Sequence, residues 1–186
     1  MKRASVVCIA TMGAVLAQSP VVSELGRVAR TATVMVDGDV CLRIETARSA
    51  KMLLEKDPHD PWKANDNFDV NDAAFIQVKK TLMRLAQLCP QACDLNLWMP
   101  VAADRSRVQI LIRNVHEMSQ FWKWGDLHQP MPAEMKSVLD TGKAITIRKR
   151  PDMISILTPV RDSLGDVVGV VEVVSRANVD PRENVK

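Results

Sequence analysis

The chain has 186 residues, 47% of them apolar, and a formal net charge of +3 from 25 basic and 22 acidic side chains. That length admits one domain with a short remainder, and the apolar content excludes a disordered chain. The nearly balanced charge, with four Trp, three Phe and no Tyr, argues against a nucleic-acid-binding surface.

The N-terminus reads as an address. Lys2 and Arg3 form a positive n-region, Val6 to Leu16 is largely apolar, and Val15-Leu16-Ala17 suits a cleavage site. This is the layout of a secretory signal peptide over residues 1–17, and its apolar part falls short of the ~20 residues of a membrane span. The expected location is therefore periplasmic or secreted. Cys41, Cys89 and Cys93 would then meet an oxidising compartment, where disulfides persist.

Residues 18–56 are expected to form an N-terminal helical segment. Val21, Leu25, Val28, Ala32, Met35, Leu42 and Leu53 fall on a 3–4 spacing. A hairpin competes for residues 33–44, because Asp37-Gly38 stands between two β-branched runs. Pro58 and Pro61 end that element. Asn71 and Asp72 then look like capping positions for an amphipathic helix over 72–88, carried by Phe75, Val78, Leu82, Leu85 and Leu88 and stopped at Cys89-Pro90. Strands are expected at 95–101 and 108–115, with a turn at Asp104-Arg105-Ser106. An irregular stretch over 116–132 leads into a short helix, 133–140, with Gly142 as its cap. Three more strands follow, at 144–148, 153–160 and 167–174, and the tail from 177 to 186 is polar. Helices first and antiparallel strands afterwards indicate an α+β domain.

The most specific pattern is local. It runs from Leu139 to Lys143 ("LDTGK"), through Ile154 to Val160 ("ISILTPV") and the Arg161 to Gly165 turn, to Val167–Val173 ("VVGVVEV"). It resembles the C-terminal half of extracytoplasmic PAS-like sensor domains of the Cache family, over roughly residues 70–176. The resemblance implies an antiparallel sheet of about five strands with a long N-terminal helix and a second helix on one face, the sensor domain proper spanning 57–176. It also implies a small-molecule ligand between the other face and the loops over 116–142. Family members usually sit in membrane receptors ahead of a kinase, cyclase or methyl-accepting module. This sequence carries no such module, so a signal would have to pass to a partner such as a membrane receptor or kinase.

Several residues are candidates for that role. Arg113 on the second strand could clamp a carboxylate through two parallel hydrogen bonds, with Trp98 flanking it. Trp122 and Trp124 could wall a pocket, with His116 and His128 supplying hydrogen bonds. The two histidines lack a third ligand at metal spacing, so no metal is expected. Cys89 and Cys93 are read as a disulfide. A redox or cofactor role is the alternative, although Asp94 stands where a c-type haem motif needs histidine. Cys41 is left over, and its pairing with either of the others stays open. No nucleophile or nucleotide motif is present, so no catalytic residue and no cofactor are expected. The expected function is an exported ligand-binding or sensory domain. An interaction domain of the same fold with no open pocket is the alternative. A homodimer through the N-terminal helix is the further partner expectation, because the apolar stripe needs cover.

Overall fold

The computed structural model describes residues 20–55, 70–101 and 103–177. The expected signal peptide, the break at Pro58 and Pro61 and the polar tail beyond residue 177 lie outside the described residues.

The first apolar stripe is spent in three short helices, not one long one: α1 (Pro20–Met35), α2 (Gly38–Leu42) and α3 (Ala47–Glu55). The break follows from Asp37. Its extended backbone leaves the helix, and its carboxylate accepts the Val40 N–H to start α2. The break also turns the stripe. Leu25, Val28 and Ala32 are buried as their spacing predicts, but Met35 and Leu42 stand half exposed or more, and Val36, Val40, Cys41 and Ile44 take the core positions instead. The competing hairpin at Asp37-Gly38 does not form. Gly38 is there for another reason: a Cβ on it would lie 2.4 Å from the Arg161 carbonyl oxygen, so only glycine lets α2 press against the end of a strand.

The second helix forms as the pattern predicts. In α4 (Asp72–Ala86) the Asn71 side chain accepts the Ala74 N–H at 3.2 Å, and Ala74, Val78, Leu82 and Leu85 make the buried face. It ends two residues before the predicted boundary, in tight turns that lead to Cys89.

The remaining chain forms a six-stranded antiparallel sheet: β1 (Cys93–Pro100), β2 (Arg107–Ile112), β3 (Gln129–Pro130), β4 (Ile145–Ile147), β5 (Met153–Arg161) and β6 (Val167–Arg176), in the order β3-β2-β1-β6-β5-β4. Helix α5 (Ala133–Thr141) precedes β4 and ends at Gly142, which takes the left-handed conformation. The expected α+β class holds. The strand count is six, not five, because Gln129-Pro130, inside a stretch expected to be irregular, adds a short edge strand paired to Arg107 and Val108. Two residues carry too little periodicity to be read as a strand.

Both faces of the sheet are covered. On one side α1, α2 and α4 pack over Leu95, Leu97, Ile154, Ile156, Val171 and Val173. On the other, α5 and Phe121 pack over Trp98, Leu157 and Val170. Each fully buried aliphatic side chain in these layers contributes roughly 1.5–3 kcal/mol relative to exposure. The α1 stripe that motivated a dimer is thus covered within the chain by β5, β6 and α4.

Gly38→Ala is expected to destabilise the protein by about 2–3 kcal/mol, since backbone and not a flexible side chain blocks the new methyl. Gly165→Ala should cost only about 1–2 kcal/mol, because its φ of 88° is strained for alanine but nothing stands within 4 Å. Urea unfolding of both variants checks the order.

Candidate functional site

Strand β6 is a run of valines interrupted by one carboxylate. Glu172 is fully buried, on the face opposite α1, paired in register with Asn96 of β1 and Leu157 of β5. A carboxylate there must find donors or lose several kcal/mol. Glu172 finds them on every side. Its Oε2 accepts from the Ser119 hydroxyl at 2.6 Å, the Trp98 indole N–H at 3.1 Å and, at the limit, the Asn96 amide at 3.5 Å. Its Oε1 accepts from the Gln120 backbone N–H at 2.7 Å and the Ser155 hydroxyl at 3.1 Å. Burial pushes the carboxyl above its ordinary 4.5, against the pull of the Gln120, Ser119, Trp98 and Ser155 hydrogen bonds.

Two more polar side chains of β1 hold the neighbouring loop in the same way. Asp94 accepts the N–H groups of His116 and Met118 at 3.2 and 2.9 Å. Asn96 donates to the Met118 carbonyl at 2.7 Å and accepts the Asn114 N–H at 3.2 Å. Asp94, Asn96 and Trp98 alternate along the strand, so all three face the loop. Together with Glu172 they seat residues 114–122 on the sheet. Trp98 and Phe121 then meet edge to face, ring centroids 6.0 Å apart, where the resemblance implies ligand space.

The sequence-predicted residues do not converge on one pocket. Trp98 is buried and committed to Glu172. Arg113 and Trp122 are brought together at the surface, the guanidinium 4.1 Å from the ring centroid, while Arg113 also pairs with Glu117 at 3.3 Å. Trp124 is 69% exposed. His128 is buried at the other end of the sheet: Nδ1 accepts from Arg107 at 2.5 Å and Nε2 donates to the Leu53 carbonyl at 3.0 Å, which defines the tautomer. His116 is exposed beside the disulfide. Among the described residues no group of three His, Cys, Asp or Glu side chains could hold a metal ion.

Cys89 and Cys93 form the expected disulfide, joining the end of α4 to the first residue of β1. Cys41 is not paired with either. It is a buried core residue whose thiol is pushed up to about 12 by burial and by the Asp37 charge, so it stays protonated and unreactive. A cleft of about 470 Å³ opens beside the disulfide, between the end of α4 and residues 114–116. No helix among the described residues is long and apolar enough to cross a membrane.

Glu172, Asp94, Asn96, Ser119 and Ser155 are absent from the sequence-predicted set. The available signal was Glu172 itself, a lone carboxylate inside Val170-Val171-Glu172-Val173-Val174. No family model matches the chain. No curated protein matches it either.

Glu172→Ala leaves Trp98, Ser119, Gln120 and Ser155 without an acceptor and opens a cavity; the expected loss is about 3 kcal/mol or more. Because the folded pKa is raised, the native state holds this proton more tightly than the unfolded chain does. The group's contribution is full below about pH 4.5 and is lost as pH rises through the folded value. The stability difference between wild type and Glu172→Ala should therefore shrink as pH rises, as a pH series of urea titrations would show. Replacing Cys89 and Cys93 together by alanine should cost only about 2 kcal/mol, the loop-closure term for so short a ring, with faster amide exchange confined to residues around 87–93.

Proposed function

We propose that this chain is an extracytoplasmic PAS-like recognition domain of the Cache type that works by docking on a partner, with its interior ligand space closed by its own side chains. The observation that carries this reading is the Glu172 cluster: the space between sheet and loop is occupied by an internal carboxylate with a donor on every side. An internal carboxylate held in this way does the work that a bound acid would do in an open pocket, ordering the loop over the sheet. The disulfide supports an extracytoplasmic location. The antiparallel sheet, with α1, α2 and α4 on one face and α5 with the 114–122 loop on the other, agrees with the Cache resemblance. Arg113, the residue expected to clamp a ligand carboxylate, already has Glu117 and the Trp122 ring as partners. A recognition role also accords with the lack of a nucleophile or nucleotide motif in the sequence.

A thermal-shift panel of carboxylates and amino acids, run beside chemical cross-linking to an envelope extract with mass-spectrometric mapping, tests this. A ligand at about 100 times its Kd would add about 2.7 kcal/mol, a shift of several degrees in a domain of this size. The expected result is no such shift, and cross-links to one protein that cluster on one face of the domain. A ligand that stabilises wild type but not Arg113→Ala would instead assign the domain to small-molecule binding.

A further inference from the structure

The cleft at the disulfide end is built differently from the rest of the surface. Its lining includes Met83, Ala86, Pro90, Asn114, Val115 and His116, and no acidic side chain. Met83 and Val115 on its wall, and Leu88 next to it in the chain, are 41%, 71% and 45% exposed, an apolar rim that water covers poorly. Asn114 is 94% buried by the measure of its 6% exposure, and its side-chain N–H₂ donates to nothing. The amide orientation is defined, because Oδ1 accepts the Val115 N–H at 3.0 Å. A buried donor without an acceptor is costly.

Charge adds a direction. Lys80 and Arg84 lie one turn apart on α4, on the face that carries Met83 and Gln87 to the cleft. Both are exposed, and neither has an ion pair among the described residues. The only acid on α4 is Asp72, at its far end. A small ligand is normally enclosed over most of its surface. Here the exposed rim asks for a larger partner.

We infer that this cleft is the docking face of the domain and that it takes an acidic peptide segment of a partner protein. An apolar side chain of that segment seats among Met83, Ala86, Pro90 and Val115. Flanking carboxylates of the segment face Lys80 and Arg84. The inference rests on the partner-docking reading above and names its surface.

The test is an amide NMR titration of the oxidised full chain with two pools of acetylated, amidated heptapeptides. Both carry a central leucine or phenylalanine; one is flanked by aspartate and glutamate, the other by lysine. The acidic pool is expected to shift the Asn114 side-chain amide and the backbone amides of residues 83–93 and 114–116, and the lysine pool is not. Lys80→Glu with Arg84→Glu should weaken the effect by about tenfold or more while leaving the rest of the spectrum unchanged. Val115→Glu, at an exposed position, should do the same without affecting the fold. No shift, shifts elsewhere or equal response to both pools overturns the inference. The same shifts from acetate or hexanoate alone would make the occupant a small acid, and shifts that grow with protein concentration alone would make it a second copy; either overturns the peptide assignment. If the double charge reversal leaves the cross-linked partner bound, this cleft is not the docking face although the docking reading stands. If the acidic pool binds as expected while no partner cross-links, the reverse holds.

Discussion

A carboxylate at the centre of a sheet governs one half of this molecule. Glu172 cannot be hydrated where β6 places it, so its oxygens need protein donors. The adjacent strands supply the Trp98 indole, the Ser155 hydroxyl and the distant Asn96 amide. The two shortest bonds, from Ser119 and Gln120, come from a loop. The loop must therefore lie on the sheet for the carboxylate to be tolerated. Once it does, Phe121 is delivered against Trp98, and Ser119 accepts the N–H groups of Phe121 and Trp122 to shape the next turn.

The same logic extends along β1. Asp94 and Asn96 take up the N–H groups of 114, 116 and 118, which have no strand partner once β2 has ended at Ile112. A loop that would otherwise leave buried backbone groups unpaired is thus satisfied by side chains of one strand. The arrangement leaves two surfaces of different character. On the interior face each Glu172 oxygen has its donors, while the Gln120 side-chain N–H₂ beside them has no acceptor. The disulfide end keeps an apolar rim, a buried amide donor without an acceptor and a basic helix face.

Much of the fold was legible because it depends on local chemistry. Asn71 caps α4 where an Asn-Asp pair precedes an apolar periodic run, Gly142 ends α5, and Cys89 and Cys93 pair across a short loop with no long-range help. The N-terminal segment was harder to read. An Asp-Gly pair between β-branched runs is a hairpin signal by local criteria, but here Asp37 caps a helix and Gly38 admits the Arg161 backbone. That contact joins residues far apart in sequence, so no window around Gly38 contains it. The candidate site fared worst. Trp98, Arg113, Trp122, Trp124, His116 and His128 were chosen as residue types that suit ligands, and only Arg113 and Trp122 meet.

Composition and pattern by themselves determined the α+β class, the main strands of the sheet, the capped second helix and the disulfide, because each is decided within a few residues of chain. The tertiary structure alone decided that Glu172 and its donors sit between sheet and loop. That outcome depends on whether donors from β1, β5 and residues 119–120 converge on Glu172, contacts that span from 17 to 76 residues of sequence. A lone carboxylate among valines announces that a buried charge must be satisfied. Which groups satisfy it is settled only when the strands are in register.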